Sequence, residues 1–138
     1  MTKNVIVKIT GYQTDPEGGT DVNEQEFTAQ YFFKNDHHYL VSENEQTAKS
    51  SRYKFNHRYL EVIRDGDIYS KLTFDTKKYC STMYKTPYGR MEFVFNTHQI
   101  TLSDTPEEIR MEIHYEMSNG GQVVSNNRTI LVIRPDVT

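Results

Sequence analysis

The sequence predicts an all-β fold in which about eight to ten short antiparallel strands follow one another as a meander and close, or nearly close, into a barrel. Apolar and polar residues alternate with a period of two in most segments between residues 5 and 133, as in strands with one wet face. Ten Tyr and seven Phe with no Trp favour pleated, half-buried surfaces. Closure removes exposed edges, so a barrel is favoured over the alternative, a two-sheet sandwich.

The first strand is predicted over residues 5–12, where Val5, Val7 and Ile9 share one face. A segment dense in turn residues follows it, and further strands are expected over residues 27–33 and 39–41. Residues 43–51 hold no large apolar side chain, which predicts a loop or a frayed strand end.

Asp65-Gly66 is a strong hairpin signal between two longer alternating segments. The segments cover residues 53–64 and 68–74. A two-residue loop would turn Glu61 toward the apolar face of the second strand. A three-residue loop with a bulge would place Leu60 and Val62 there instead, and it is the prediction because that face is then more apolar.

A central hairpin is predicted over residues 84–95, around a type I turn from Thr86 to Gly89. Pro87 presets the backbone angle of the second turn position, and Gly89 suits the fourth. Pairing across the turn sets three pairs on one apolar face: Tyr84 with Met91, Thr82 with Phe93, and Cys80 with Phe95. Cys80 is expected there as a small buried hydrophobe rather than as a nucleophile. The second strand is expected to reach Asn96, and residues 97–102 could continue it.

Residues 105–117 fit two structures. Thr105 followed by Pro106 and Glu108 is a good helix start. The rival pattern alternates without a break over residues 109–117, and the next four residues end in Gly120-Gly121, as a hairpin turn would. A strand is therefore predicted, with a last strand over residues 129–133.

Several short motifs occur in a characteristic order along the chain. They are Tyr31-Phe32-Phe33-Lys34 with Tyr39-Leu40, Val62-Ile63-Arg64-Asp65-Gly66, Tyr84-Lys85-Thr86-Pro87-Tyr88-Gly89, Ile113-His114-Tyr115-Glu116-Met117, and Asn127-Arg128-Thr129-Ile130. In these motifs the chain resembles the YwiB-like family of small bacterial proteins. The resemblance covers nearly the whole chain, and it implies a lipocalin-like barrel of the calycin type. It offers no catalytic residues that could be carried over to this chain.

Five positions match the family's recurrent pattern: Arg64, Gly66, Tyr84, Thr86 and Gly89. Turn geometry is a sufficient reason for Gly66 and Gly89. Arg64 and Tyr84 have less of a structural reason, so they are the candidates for a role beyond folding.

Composition and charge limit the partners and the cellular location that are expected for the protein. The net charge of −3 gives no global attraction to nucleic acid, so a nucleic-acid partner is not expected. Residues 1–8 lack the apolar core of a signal peptide, and no apolar run could span a membrane. Cys80 is the one cysteine in the sequence, which favours a cytoplasmic protein. The length of 138 residues is typical of one domain, so a single domain over residues 1–138 is expected.

No metal or cofactor site is predicted. His37 and His38 are the one close pair among five histidines, and adjacent residues of an extended chain point to opposite sides, so a solvated turn is expected for them. Glu43 and Glu45 are expected at a solvated edge, since apolar residues are absent around them.

The leading hypothesis is a non-enzymatic barrel that binds a small, largely apolar ligand in its interior, oriented by Arg64 and Tyr84. One alternative is an enzyme of unknown reaction that uses the inward polar residues Glu61, Tyr84 and Arg64. Another is an RNA- or protein-interaction module that uses the basic and aromatic strand over residues 52–59. The sequence fixes neither the ligand nor the oligomeric state.

Overall fold

The computed structural model describes residues 3–45, 48–66, 69–87 and 89–137, and of residues 84–86 it describes the backbone. These residues form ten strands: β1 Lys3–Thr14, β2 Thr20–Lys34, β3 His37–Ser42, β4 Ser50–Phe55, β5 Tyr59–Asp65, β6 Ser70–Asp75, β7 Cys80–Thr86, β8 Gly89–Asp104, β9 Ile109–Asn119 and β10 Gln122–Pro135. No helix in the described part of the chain is long and apolar enough to cross a membrane.

The strands form one antiparallel sheet in the order β6-β5-β4-β3-β2-β1-β10-β9-β8-β7. The sheet curls round so that its edge strands β6 and β7 meet at a seam. There Thr82 Oγ1 donates a hydrogen bond to the Lys71 carbonyl, and the ring centroids of Phe74 and Phe95 are 5.1 Å apart. The predicted all-β meander is confirmed as a nearly closed barrel of ten strands.

Alternation sends every second side chain into the barrel. We call the end that carries the connections after odd-numbered strands the upper end, and the opposite end the lower end. The largest fully buried apolar side chains come from four strands: Val5 and Val7 of β1, Leu40 of β3, Phe55 of β4, and Met111 and Ile113 of β9. They form a core that fills the lower and middle parts of the barrel, and the upper part is less completely filled.

The central hairpin has the predicted register, with Tyr84 opposite Met91 and Cys80 opposite Phe95. Gly89 has a φ of 112°, a backbone angle that other residues rarely adopt. The type of turn depends on Tyr88, which lies outside the described residues. Cys80 is half-buried on the apolar face, and burial raises the pKa of its thiol.

The segment that fitted both a helix and a strand is a strand, β9. Thr105 closes a tight hairpin turn before it rather than capping a helix. Its backbone N–H donates to the Glu108 carbonyl at 2.9 Å, and its Oγ1 accepts from the Glu108 N–H at 3.2 Å. After β9, Gly120 and Gly121 have φ values of 58° and 82°, as a two-residue hairpin turn requires.

The prediction of one strand over residues 53–64 is wrong, because the chain reverses at residues 56–58. Asn56 Oδ1 accepts hydrogen bonds from the backbone N–H groups of Arg58 at 2.9 Å and Tyr59 at 3.1 Å. A side chain that captures nearby backbone donors in this way competes with the strand ladder and makes a turn. The segment therefore becomes two neighbouring strands, β4 and β5.

The face chosen for β5 is correct, although its loop is longer than the three residues predicted. Val62 pairs with Leu72, which puts Leu60 and Val62 on the inner face, and residues 66–69 connect β5 to β6. Gly66 lies in this connection beside Asp67 and Ile68, which are outside the described residues. With this register Glu61 points outward, so its predicted place in the interior needs correction.

Candidate functional site

The upper half of the barrel holds a cavity of about 400 Å³. Its apolar lining comes from the inner faces of six strands: Ile9, Tyr53, Leu60, Val62, Leu72, Phe74, Ile113, Tyr115 and Leu131. Its polar lining is smaller and comes from Asn23, Glu24, Gln25, Thr129 and Arg64. Because Asn23 and Glu24 are solvent-exposed, this side forms the mouth of the cavity.

Gly11 helps to keep this space open. It follows Val5, Val7 and Ile9 on the inner face of β1, and no atom lies within 4 Å of the point where a Cβ would be. Any other residue here would send its side chain into the cavity, because alternate residues of a strand share a face.

A cluster of three polar side chains lies beside the cavity. The phenol of Tyr53 donates a hydrogen bond to Glu45 Oε1. Arg64 Nε donates to Glu45 Oε2 at 2.9 Å, and Arg64 Nη2 donates to the Tyr53 oxygen at 3.1 Å. Tyr53 and Arg64 line the cavity, whereas Glu45 lies behind them.

Strand register and one irregular segment bring the cluster together. Tyr53 pairs with Val62 across β4 and β5, and Ser51 pairs with Arg64, so Tyr53 and Arg64 are diagonal neighbours on the inner face. Glu45 arrives from the connection between β3 and β4. That connection is held to the end of β5 by a hydrogen bond from the Lys49 N–H to the Asp65 carbonyl, at 2.9 Å.

Burial distinguishes the members of the cluster. The Glu45 side chain is 0% exposed and that of Arg64 is 24% exposed, so the two opposite charges compensate each other where water screens little. Burial, helped by the negative charge of Glu45, raises the pKa of Tyr53, although Arg64 opposes the shift. Tyr53 is therefore a neutral phenol at physiological pH and acts as a hydrogen-bond donor to the carboxylate.

The three predicted site residues lie in different parts of the structure. Arg64 lines the cavity, in the inward position that its prediction required. Glu61 lies on the outer face with its Oε2 3.8 Å from Lys71 Nζ, and not in the interior, where only the two-residue loop would have put it. The backbone of Tyr84 lies in β7 opposite Met91, but its side chain is outside the described residues.

Two members of the cluster were missed. The prediction of a solvated edge for Glu45 is wrong, since the residue is 3% exposed. A run without apolar neighbours is the usual signature of a solvated loop, and nothing local reveals that the carboxylate reaches a cation on a strand nineteen residues later. Tyr53 points inward, and the sequence analysis did not identify it as a partner of Arg64.

A second polar contact lies at the lower end of the barrel. The prediction of a solvated turn is wrong for His38, which is 5% exposed, stacks on Phe55 with ring centroids 4.9 Å apart, and has its Nδ1 2.7 Å from the Tyr31 hydroxyl. His37 keeps to the outer face, with its Nδ1 2.7 Å from the Asn35 carbonyl. The described residues contain no group of three or more His, Cys, Asp or Glu placed to hold a metal ion.

The two cluster residues that line the cavity, Tyr53 and Arg64, do not change charge near neutral pH. A general acid or base works best when its pKa lies near the working pH. The pKa of the Tyr53 phenol is held far above that range, and the guanidinium of Arg64 stays charged at all ordinary pH values. Among the described residues, Arg64 Nη1 has no hydrogen-bond acceptor, so its donors are the groups that a bound molecule could use.

Comparison with known proteins agrees with this fold. No curated protein matches the chain. A crystal structure of the ywiB protein from Bacillus subtilis is similar with a TM-score of 0.81 and 20% sequence identity, over 99% of this chain and 94% of that one. The family described as Domain of unknown function (DUF1934) matches residues 7–131. Because the match spans most of the sequence, the chain belongs to the DUF1934 family, which includes YwiB-like proteins.

Proposed function

We propose that the protein binds a small, largely apolar and uncharged molecule in the upper cavity of the barrel. The observation that carries this proposal is a cavity of about 400 Å³ with mostly apolar walls and a few polar groups on one side. Small-molecule sites commonly measure about 300–1,000 Å³ and combine these two features. The lipocalin-like barrel that the family resemblance implies is compatible with such a role.

The polar cluster determines which ligands fit. Glu45 already neutralises Arg64, so an anionic ligand would have to compete with a buried carboxylate for the same guanidinium. A cationic ligand would meet the positive charge of Arg64 directly. A neutral molecule with one hydrogen-bond acceptor, such as a carbonyl or an ether oxygen, would accept a hydrogen bond from Arg64 Nη1, which has no acceptor among the described residues, and would leave the cluster intact.

The cluster also argues against the enzyme alternative. Glu61 lies outside the cavity, and no perturbed group in the cluster has a pKa near neutrality that would suit acid-base catalysis. Arg64 and Tyr53 are thus proposed as ligand-orienting residues.

Fluorescence titration with N-phenyl-1-naphthylamine tests the proposal, because this probe is apolar, neutral and bright when removed from water. We expect a dissociation constant of about 1–100 µM for a molecule of its size. The sulfonated probe 8-anilinonaphthalene-1-sulfonate has a similar ring system but carries a negative charge, and it should bind at least tenfold more weakly. Equal affinities for the two probes would contradict the argument for a neutral ligand.

Gly11→Val provides the matched test of location. The added Cβ would meet no atom within 4 Å and the side chain would extend into the cavity, so the variant should weaken binding of the neutral probe at least tenfold while the protein stays folded. Thr10→Val changes the neighbouring residue on the outer face and should leave the affinity within twofold of wild type. No saturable binding, or equal effects of the two variants, would overturn the proposal. If binding is found, native mass spectrometry of freshly purified protein identifies any retained molecule.

A further inference from the structure

The outer surface of β2 to β5 carries an aromatic cluster that the cavity does not use. Four half-buried rings, from Phe32, His37, Tyr39 and Tyr59, lie on this side, and we call them the outer aromatic face. The rings of Phe32 and Tyr39 are stacked, with centroids 4.8 Å apart and an interplanar angle of 9°. The rings of His37 and Tyr59 are arranged edge to face, with centroids 5.6 Å apart.

Positive side chains flank the outer aromatic face. Two cross-strand rows contain its rings and a third row lies beside them, and together these rows contain four cations, namely Lys34, Arg52, Lys54 and Lys71. Lys54 Nζ lies 5.9 Å from the centroid of the Tyr39 ring. The rows also contain two carboxylates: Glu61, which pairs with Lys71, and Asp75, which lies opposite Tyr59. The rows are therefore electropositive, although the whole chain has a net charge of −3.

The arrangement comes from several strands rather than from one. Within β4, Tyr53 and Phe55 point into the barrel, while Arg52 and Lys54 point outward. The basic and aromatic residues that are neighbours in sequence are thus separated by the sheet. Cross-strand pairing brings a basic and an aromatic residue together again, because Tyr39 of β3 lies directly opposite Lys54. Cross-strand aromatic pairing would stabilise a sheet by itself, but it does not require an excess of cations beside the rings.

We propose that the outer aromatic face binds single-stranded nucleic acid. Bases stack on the solvent-facing parts of the rings, and the lysine and arginine side chains contact the phosphates that join those bases. Proteins that bind single strands with little sequence preference combine these same two elements. The local excess of positive charge would attract the phosphates, although the net charge of the whole chain is negative. This surface lies on the opposite face of the sheet from the cavity, so the proposal is independent of ligand binding there.

Fluorescence anisotropy with a labelled oligothymidylate of about 12 nucleotides tests the proposal at several salt concentrations. Arg52→Gln/Lys54→Gln removes two cations from the outer aromatic face. Lys8→Gln/Arg110→Gln removes two exposed cations from the outer faces of β1 and β9, so the two double variants have the same net charge. Circular dichroism and thermal unfolding establish that both double variants are folded.

We expect the first double variant to bind at least tenfold more weakly than wild type, and the second to stay within twofold. Each lost phosphate contact should reduce the slope of log affinity against log salt by about 0.7, so the first double variant should lose about 1.4. Tyr39→Leu should also weaken binding about tenfold, because it keeps an apolar side chain but removes a stacking surface.

Two competitors separate base stacking from charge. An abasic oligomer of the same length carries the phosphates without the bases, and it should compete at least tenfold less well than oligothymidylate. Polyglutamate represents an acidic protein segment and should compete poorly. No binding of the oligomer at low salt, equal losses in the two double variants, or effective competition by the abasic oligomer or polyglutamate would each overturn the proposal, the last in favour of an acidic protein partner.

Discussion

Glu45→Ala should destabilise the protein far more than its place in a connection between strands suggests. The substitution leaves the guanidinium of Arg64 without its counter-ion in a site where the lost side chain was 0% exposed. Breaking a buried ion pair costs about 3–5 kcal/mol. Arg64 keeps 24% exposure and recovers part of its hydration, which lowers the cost, whereas Tyr53 loses its acceptor, which raises it. We therefore expect a loss of about 3–4 kcal/mol in the free energy of unfolding.

Urea unfolding followed by far-ultraviolet circular dichroism measures this loss, since the chain has no Trp for fluorescence. Glu43→Ala is the matched control, because Glu43 is an exposed carboxylate in the same connection, and it should change stability by less than about 0.5 kcal/mol. A double-mutant cycle with Arg64→Met should show that removing the cation is less costly once Glu45 is gone, with a coupling of about 2 kcal/mol. Equal, small losses in Glu45→Ala and Glu43→Ala would refute the buried pair.

Three further predictions concern the rest of the barrel. Gly121→Val should cost about 1–2 kcal/mol in urea unfolding, because the φ of 82° at Gly121 is unfavourable for a β-branched residue; an unchanged midpoint would contradict the turn geometry. Phe95→Ala should cost about 3–5 kcal/mol and Phe93→Ala clearly less, since Phe95 is 2% exposed while Phe93 is half-buried; the reverse order would contradict the difference in burial between these two rings on the same face of β8. Burial lowers the pKa of His38 from its ordinary value of 6.5, despite an opposing effect of Asp104, so the unfolded chain binds more protons than the folded one as the pH falls through about 6.5. The wild type should lose stability over this interval, and His38→Gln should show a shallower dependence in unfolding curves between about pH 5 and 7; parallel curves would exclude His38 as the cause.

The fold followed from residues whose local and long-range roles agree. In β9, uninterrupted alternation outweighed the helix-start signal at Thr105, because a threonine that can cap a helix can equally close a hairpin turn. The central hairpin was predicted down to the pairing of Cys80 with Phe95, since turn chemistry and apolar pattern select the same register there.

The parts that were not predicted have two different causes. The first is local: Asn56 ends a strand through its own side chain, in a segment whose alternation continues on both sides of the turn. The second is contact with other strands. Glu45 has polar neighbours in sequence, and its burial arises from a partner on another strand. His38 likewise gains its burial from Tyr31 and Phe55. For Glu45 and His38 the decisive partner depends on three-dimensional register, which composition and spacing do not encode locally.

Because β1 pairs with β10, the barrel cannot be completed until the last of its ten strands has been synthesised. Of the ten strands, β1 is synthesised first and can pair with β2 as soon as that strand follows, but the other edge of β1 stays unpaired until β10, the last of the ten, has been synthesised. Until then the nascent chain presents a long strand edge with unpaired backbone groups, the kind of edge that joins other chains. Premature termination anywhere before residue 122 would leave that edge permanently bare, so shortened products of this gene should aggregate or be degraded rather than survive as partial barrels.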